Sequence, residues 1–194
     1  MKNRDEEVKK DSNEKIISIL GQIRSTLITF LVMLAILVVI NVFLGKLVKV
    51  DGHSMDNTLT HGEILVLDSI TYDFRDPKRF EIVVFPHDDK LFIKRVIGLP
   101  GETIEIKNGE FYVDGVRLET DTYGNEKIKE DMYGRASKPV LLGKDEYFCV
   151  GDNRNHSGDS RLEEVGSVKR SQFVGRAIFR LYPFSKFGGL NFGE

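Results

Sequence analysis

Two residues of this chain, Ser54 and Lys94, have the types and surroundings that could carry out nucleophilic chemistry. Ser54 lies in DGHSM, residues 51–55, shortly after a long apolar run, and Lys94 lies in LFIKRVIG, residues 91–98, among mostly apolar neighbours. A serine hydroxyl needs a base to become a nucleophile, and a lysine whose pKa is lowered by burial can act as that base. The pair therefore predicts a hydrolase with a serine nucleophile and a neutral lysine.

The surroundings of Lys94 decide whether it could lose its proton. A free lysine titrates near 10.4, so a base that works at pH 7–8 needs a pKa roughly 2–3 lower. Burial against apolar groups can supply a fall of that size. Phe92 and Ile93 indicate that at least one face of this segment is covered. The alternative is that Lys94 and Arg95 are the charged edge of a strand, and the sequence alone does not show that Lys94 meets Ser54.

A third segment, GDNRNHSGDSR at residues 151–161, concentrates side chains that form charge-assisted hydrogen bonds. It carries two aspartates and two arginines, namely Asp152, Arg154, Asp159 and Arg161. Carboxylate–guanidinium pairs are strong and geometrically specific, so they could hold a neighbouring hydroxyl in place. Ser157 could then hydrogen-bond the lysine nitrogen. The composition of this segment fits a polar surface loop equally well.

An apolar run over residues 25–48, STLITFLVMLAILVVINVFLGKLV, precedes the serine segment. No charged residue lies between Arg24 and Lys46, and about 20 apolar residues are enough to cross the hydrocarbon core of a bilayer. The apolar part of a cleaved secretory signal is shorter, ~7–15 residues, and is followed by a cleavage site with small residues. The sequence NVFL at 41–44 offers no such site. The run therefore predicts a permanent membrane anchor.

Lysine and arginine are distributed unevenly on the two sides of the apolar run. Six lie before it, and only Lys46 and Lys49 lie at its other end; the six are Lys2, Arg4, Lys9, Lys10, Lys15 and Arg24. Because the cytoplasmic flanks of membrane spans are enriched in these residues, we expect the N-terminus in the cytoplasm. The chain is thus predicted to be a single-pass protein of the cell membrane. Its predicted parts are a cytoplasmic tail at 1–24, an anchor at 25–45 and an extracytoplasmic domain at 46–194.

Residues 46–194 have the sequence pattern of a β protein. Short apolar or alternating runs bounded by glycine, proline and asparagine are typical of strands joined by tight turns. The predicted strands are Ile64–Leu67, Glu81–Phe85, Thr103–Lys107, Phe111–Val113, Pro139–Leu142, Tyr147–Val150 and Phe173–Leu181. Asn108-Gly109 is the strongest hairpin signal, because both turn positions tolerate positive φ. We expect a mainly β fold, a folded sheet or closed barrel with one N-terminal transmembrane helix, and a small hairpin and loop insert at about 103–142.

The overall composition argues against several function classes. The chain has 194 residues and a formal net charge of −2, which suits one soluble domain with appendages and gives no indication of a nucleic-acid partner. The sequence contains no zinc-type cluster of cysteine and histidine, and we expect no metal or other cofactor. The single cysteine, Cys149, lies in an apolar run and is expected to be a small core residue.

Three segments together carry a resemblance to a known family. DGHSMDNTL (51–59), FIKRVIGLPGE (92–102) and GDNRNHSGDSR (151–161) follow one apolar run in this order. They resemble the bacterial type I signal (leader) peptidases, which are serine proteases with a serine–lysine dyad. The resemblance covers nearly all of residues 25–185, and the single span with a short insert resembles the Gram-positive form. It implies that the serine of the first segment, Ser54, is the nucleophile and that Lys94 is the general base.

The resemblance also implies supporting roles and a specificity. Ser157 would orient the lysine, and Asp159 with Arg161 would be the structural pair behind it. Asp152 and Arg154 match the family's motif too, in a supporting role. The implied cut follows an Ala-x-Ala-like site in exported preproteins, whose small residues would enter shallow apolar pockets. The candidate pocket walls are Val50, Met55, Leu59, Phe92 and Ile93.

Three positions depart from the family's usual pattern. Asn57 stands where the family usually has proline before the threonine of the serine motif, and Glu63 stands where aspartate is more usual after glycine. Some members carry a serine or threonine two positions before the nucleophile, and its hydroxyl completes the oxyanion hole. Here Gly52 occupies that position, so a backbone amide, that of Ser54, is expected to do more of this task.

The expected partners are the signal peptides of preproteins, the lipid bilayer and the protein export machinery. Two other functions remain open at this stage. The chain could be an anchored binding or assembly module of the same fold without activity. It could also be a Ser/His/Asp hydrolase that uses His61, His87 or His156 in place of Lys94.

Overall fold

The computed structural model describes residue 15, residues 19–38 and residues 46–190. The chain divides into two compact units, residues 1–45 and residues 46–194. In the first unit, helix α1 spans Ile19–Val38, and its length and apolar composition are sufficient to cross a membrane. This helix already includes residues 19–24, which the sequence analysis assigned to the tail, because helical hydrogen bonding does not stop at the first charged residue. The predicted anchor residues 39–45 lie outside the described residues.

The second unit is built from short strands with few helical turns. The described strands are β1 (Leu47–Lys49), β2 (Ile64–Asp68), β3 (Ile82–His87), β4 (Lys90–Gly98), β5 (Thr103–Lys107), β6 (Glu110–Val113), β7 (Val116–Arg117), β8 (Val140–Leu141), β9 (Glu146–Val150), β10 (Val168–Lys169), β11 (Gly175–Tyr182) and β12 (Gly188–Gly189). A short helix α2 spans Thr71–Phe74, and 3-10 turns span Glu130–Met132, Gly134–Ser137, Arg170–Gln172 and Phe184–Lys186.

The described strands form two antiparallel sheets. The larger has the order β1-β2-β11-β3-β4-β9-β10, with β12 also paired to β11. The smaller has the order β7-β6-β5-β8 and occupies the region between β4 and β9 in the chain. This confirms the mainly β class predicted from the sequence. An interior strand of the larger sheet, β4, lies between β3 and β9 and carries Lys94.

Two tight turns shape the smaller sheet in the way the sequence predicts. Asn108 and Gly109 both have positive φ, 53° and 79°, between β5 and β6. Asp114 and Gly115 repeat the arrangement, 50° and 78°, between β6 and β7. Positive φ at both central positions gives a turn whose twist matches the flanking strands. The hairpin signal at residues 108–109 is therefore confirmed.

Alternation along β4 places successive side chains on opposite faces of the sheet. Lys94 is paired with Val83 on β3, and Arg95 is paired with Ile82. Val83 belongs to a buried cluster with Phe85, Val96, Tyr147 and Cys149, whereas Ile82 belongs to another with Met55, Leu59, Leu65 and Ile93. Two neighbouring cationic residues are thus directed into different parts of the core.

A third apolar cluster joins the two sheets. Ile104 and Phe111 of the smaller sheet pack with Ile97 of β4 and Phe148 of β9. Gly98 lies at this junction, where an added Cβ would come within 2.7 Å of the Ile104 side chain. Glycine at this position lets the smaller sheet pack closely on the end of β4, which fixes the strand that bears the lysine.

Candidate active site

The structure brings Ser54 and Lys94 together. Lys94 Nζ lies 2.6 Å from Ser54 Oγ, a short hydrogen bond that joins the serine segment to the middle of β4. In the protonated form the amine donates to the hydroxyl oxygen, and in the neutral form the hydroxyl donates to the amine lone pair. A serine–lysine contact of this length meets the distance requirement for a nucleophile and its base.

Burial makes Lys94 a weak base compared with a free lysine. Its side chain is only 4% exposed, and this loss of solvation lowers the pKa of Lys94 from its ordinary value of 10.5 to about 8. The neighbouring charges act in opposite directions, since Asp159 raises the pKa and Arg161 lowers it. The Phe92 ring lies 5.0 Å from Nζ and adds to the apolar wall. A substantial fraction of the amine is therefore neutral near pH 8.

The loop at 151–161 holds the Ser54 segment through hydrogen bonds to its backbone. The Asn153 N–H donates to the Ser54 carbonyl oxygen at 3.0 Å, and Asn153 Nδ2 donates to the His53 carbonyl oxygen at 3.0 Å. Gly151 lies so close that an added Cβ would meet the Ser54 carbonyl oxygen at 2.3 Å. This approach is possible only because residue 151 has no side chain.

Asp159 is the centre of the network in this loop. Its carboxylate accepts two hydrogen bonds of 2.8 Å from the Arg161 guanidinium, one from the Gly151 N–H at 3.1 Å and one from the Ser157 hydroxyl at 2.6 Å. The predicted Asp159–Arg161 pair is present in this geometry. Ser157 differs from its predicted contact, because its hydroxyl donates to Asp159 and not to the lysine nitrogen.

The other charged residues of the loop find partners outside it. Asp152 forms a two-pronged ion pair with Arg95 of β4, at 2.8 and 2.7 Å, and Arg154 forms another with Asp121, at 2.6 and 2.8 Å. The predicted network of carboxylate–guanidinium pairs within the loop is thus present for Asp159 and Arg161, whereas Asp152 and Arg154 pair with other segments. Each side chain pairs with a buried opposite charge from another segment, because buried charges require compensation.

Ser54 and Lys94 face an open cleft of about 700 Å³. Four of the five predicted pocket walls line it, namely Val50, Met55, Phe92 and Ile93. Leu59 does not, because it is 0% exposed and packs in the core cluster beneath Met55. The prediction for Leu59 as a pocket wall is therefore wrong: the turn after Ser54 rotates this side chain inward.

The histidines make contacts elsewhere, although two of them line the cleft. His53 Nδ1 lies 3.0 Å from Asp56, and His61 Nδ1 accepts from the Gly52 N–H at 3.1 Å. The His87 ring packs against Phe92 in a tilted arrangement, with ring centroids 4.8 Å apart. In the described part of the chain, the side chain that hydrogen-bonds Ser54 Oγ is Lys94. The geometry therefore favours the lysine over a histidine as the base.

Comparison with known proteins decides the family. The model of the family described as "Signal peptidase, peptidase S26" matches residues 23–182. The chain belongs to this family. A probable signal peptidase I-2 of Synechocystis sp. is 37% identical over 157 residues, which cover 77% of this chain and 68% of the relative. A signal peptidase IB of Staphylococcus aureus is 32% identical over 184 residues, 84% of this chain and 94% of the relative.

A solved structure is also similar to part of this chain. A signal peptidase I from Enterococcus faecalis V583 has 32% sequence identity and a TM-score of 0.44, and covers 53% of this chain and 97% of that chain. Membership in the S26 family makes this protein a serine protease of the signal peptidase I class, as the resemblance in the sequence predicted.

The three departures from the family's usual motif have structural counterparts. Asn57 has a φ of 81°, a value that the proline ring does not permit. Gly52 has a φ of 108° with open space around it, so a strained side chain is avoided there. Glu63 is buried and pairs with Arg180 at 2.7 Å and with Lys186 at 3.2 Å. The turn after Ser54 therefore has a positive φ at residue 57, which a proline at that position could not adopt.

Sequence reasoning missed three residues that contact the site. Arg95 and Asp121 complete the two ion pairs of the loop, and Asn153 contacts the backbone on both sides of the serine's amide. Arg95 had a detectable signal, because a second cation within an apolar strand needs a buried carboxylate. Asp121 and Asn153 lie in polar segments, and the sequence does not distinguish them from neighbouring residues that could form the same contacts.

Proposed function

We propose that this S26 peptidase is a membrane-anchored endopeptidase that removes N-terminal signal peptides from exported preproteins, with Ser54 as nucleophile and Lys94 as general base. The observation that carries the proposal is the 2.6 Å contact between Ser54 Oγ and the amine of Lys94. A buried amine with a pKa near 8 can accept a proton under physiological conditions. The names of the relatives in Synechocystis and Staphylococcus aureus support the same substrate class.

The mechanism follows from the positions of these groups. Neutral Lys94 accepts the Ser54 hydroxyl proton while Oγ bonds to the scissile carbonyl carbon, and the carbonyl oxygen becomes an oxyanion. The protonated lysine then gives its proton to the leaving amine, so that the acyl-enzyme and the free amine form together. Lys94 next accepts a proton from water as the water oxygen bonds to the ester carbonyl carbon. The bond from that carbon to Ser54 Oγ then breaks, Lys94 returns the proton to Oγ, and the second product leaves. A backbone donor at the oxyanion contributes about 3–4 kcal/mol to such a step.

The cleft supports a preference for small side chains at the cut. In an extended substrate the side chains at the −1 and −3 positions lie on the same face. Val50, Met55 and Ile93 line the cleft near Ser54 and are themselves almost fully buried, so they present shallow apolar walls. We therefore propose cleavage after an Ala-x-Ala-like site, with the substrate bound as an added strand.

Helix α1 is proposed to anchor the enzyme in the cell membrane. Its length of 20 residues corresponds to about 30 Å, which matches the hydrocarbon core of a bilayer. The excess of lysine and arginine before the apolar run supports an orientation with the N-terminus in the cytoplasm and residues 46–194 outside it. This topology puts the enzyme where preproteins emerge, with the lipid bilayer and the export machinery as its neighbours.

The proposed dyad is tested with the full chain in detergent and a preprotein that carries an Ala-x-Ala site. Ser54→Ala and Lys94→Ala should each abolish the appearance of the mature product. Ser137→Ala and Lys107→Ala are matched controls, since both residues are exposed on the surface away from the cleft. Normal processing by either dyad variant would refute the dyad. Absence of processing by the wild type would favour an anchored module without activity.

A further inference from the structure

Asn153 contacts two successive peptide groups of the serine segment. Its backbone N–H donates to the Ser54 carbonyl oxygen and its side-chain Nδ2 donates to the His53 carbonyl oxygen, both at 3.0 Å. The side chain is 8% exposed, and its Oδ1 accepts from Asn125 Nδ2 at 3.2 Å. The orientation of the amide is fixed by chemistry, because the His53 carbonyl can only accept and so faces the nitrogen.

The contact with His53 determines where the Ser54 N–H is directed. The peptide between His53 and Ser54 is planar and trans, so its C=O and its N–H point in opposite directions. The His53 carbonyl oxygen accepts from Asn153 Nδ2 at 3.0 Å and from the Asp56 N–H of the following turn at 3.2 Å. With the oxygen held by these two donors, the Ser54 N–H is directed to the opposite side of this peptide. Ser54 lines the cleft together with Lys94, and His156 and Gly158 of the loop line it too.

The Gly52 and Ser54 amides of this segment differ in whether they already have a partner. The Gly52 N–H already donates to His61 Nδ1 at 3.1 Å. The Ser54 N–H donates to no other group among residues 46–190. Gly52 also supplies no hydroxyl, so the catalytic site depends on the Ser54 amide more than it would with serine or threonine at that position.

We propose that Asn153 is a positioning residue that aims the Ser54 N–H at the carbonyl oxygen of the substrate. The proposal rests on the proposed role of Ser54 as nucleophile. When the tetrahedral intermediate forms, the charge develops on an oxygen next to this amide, and a donor held in advance stabilises it without reorganisation. Asn153 touches no reacting atom. It acts by restricting rotation of the 53–54 peptide, together with the Asp56 N–H that bonds the same carbonyl oxygen.

Asn155 provides a matched control within the same loop. It is an asparagine of similar burial, 6% exposed, and its side chain also bonds to backbone groups, the Lys129 N–H at 2.9 Å and the Lys127 carbonyl at 3.0 Å. These groups belong to a segment away from Ser54. Asn155→Ala therefore measures the cost of losing a buried amide from this loop without a change at the serine peptide.

The experiment compares Asn153→Ala and Asn155→Ala in the full-length enzyme. For Asn153→Ala we expect kcat to fall by about 10- to 100-fold with KM nearly unchanged, because a misdirected donor loses part of the ~10²–10³-fold effect of an oxyanion contact. A peptide aldehyde that forms a tetrahedral adduct with Ser54 should bind more weakly by the same factor as kcat/KM. The acid limb of the pH profile should stay where it is, since Lys94 is unaltered.

Asn153→Asp tests the hydrogen bond itself. Aspartate has the same shape and retains the backbone N–H, but it offers no donor to the His53 carbonyl oxygen. On the alkaline plateau, where a change in the pKa of Lys94 has no effect, we expect it to lose as much kcat as Asn153→Ala. Thermal melting followed by circular dichroism monitors the fold of each variant.

The outcomes separate this inference from the proposed dyad. If Asn153→Ala and Asn155→Ala lose equal activity and equal thermal stability, or if Asn153→Asp keeps the wild-type kcat, the positioning role is overturned. The dyad still stands in either case, provided that Ser54→Ala and Lys94→Ala are inactive. If those two variants process the preprotein normally, the proposed function itself fails.

Discussion

The two faces of β4 each bury a cationic side chain, but the two side chains have different kinds of partner. On one face, Arg95 is 0% exposed and forms a two-pronged ion pair with Asp152, and its guanidinium also donates to the Phe80 carbonyl at 2.7 Å. On the other face, Lys94 is almost as buried, yet its short contact is with the neutral hydroxyl of Ser54. The nearby carboxylate, Asp159, is already occupied by Arg161.

This difference shows what separates a structural cation from a base. A buried arginine with a carboxylate keeps its charge, because guanidinium hardly deprotonates and the pair compensates the loss of water. A buried lysine without its own carboxylate loses part of its affinity for a proton, and so its pKa falls. Position on the strand alone does not decide between the two roles. The role depends on whether a carboxylate on that face is available to pair with the cation.

Replacing each cation singly by methionine should give the largest difference between the two faces, in activity for one variant and in stability for the other. For Lys94→Met we expect activity to fall by about 10²–10⁴-fold, because the general base is lost. The free energy of unfolding at pH 7 should equal or exceed that of the wild type, since the folded state no longer buries an amine that is still largely protonated at that pH. Preprotein processing and chemical denaturation followed by circular dichroism measure the two effects. A clear loss of stability would contradict the account of this face.

Arg95→Met should show the reverse pattern. The substitution leaves the Asp152 carboxylate buried without its partner, which typically costs about 3–5 kcal/mol. Activity per folded molecule should be largely retained at a temperature where the variant is folded. The same denaturation experiment measures the loss, and Lys94→Met is its control. Wild-type stability of Arg95→Met would show that this ion pair does not hold the 151–161 loop to β4.

Asp159→Asn sharpens the comparison through pH. The Asp159 charge raises the pKa of Lys94, so its removal should lower that pKa and move the acid limb of kcat/KM to lower pH. A limb that moves to higher pH, or stays in place, would show that Asp159 does not act on the lysine through its charge. The midpoint of the limb is read from initial rates across a pH series, and Asn155→Ala, which changes no charge, is the control.

Cys149→Ala should have the smallest effect. The thiol is fully buried on β9, where Cys149 pairs with Val96 of β4. Burial raises the pKa of the thiol, so it remains protonated and takes no part in the chemistry. We expect a loss of about 1 kcal/mol in the free energy of unfolding from the removed volume, with unchanged kcat. A large loss of kcat would assign Cys149 more than a packing role.

The sequence predicted correctly those features that depend on a few neighbouring residues. The hairpin at Asn108-Gly109 follows from φ preferences of two residues, and the burial of Lys94 follows from its immediate neighbours. Partners at long range were not predictable, because Asp152 and Arg154 choose between several opposite charges according to the packing of distant segments. Leu59 was misassigned for a related reason. Whether a side chain after the serine faces the cleft or the core depends on the turn, and Asn57 gives that turn a positive φ.

The most direct test of the account is the pH dependence of kcat/KM for the wild-type enzyme with a preprotein substrate. This quantity reports the ionisation of the free enzyme. Neutral Lys94 is the active form, so the rate should rise with pH to a plateau, with the midpoint of its acid limb near the pKa of about 8. A midpoint close to 6.5 that disappears when a histidine is replaced would contradict the lysine base, because that value belongs to imidazole.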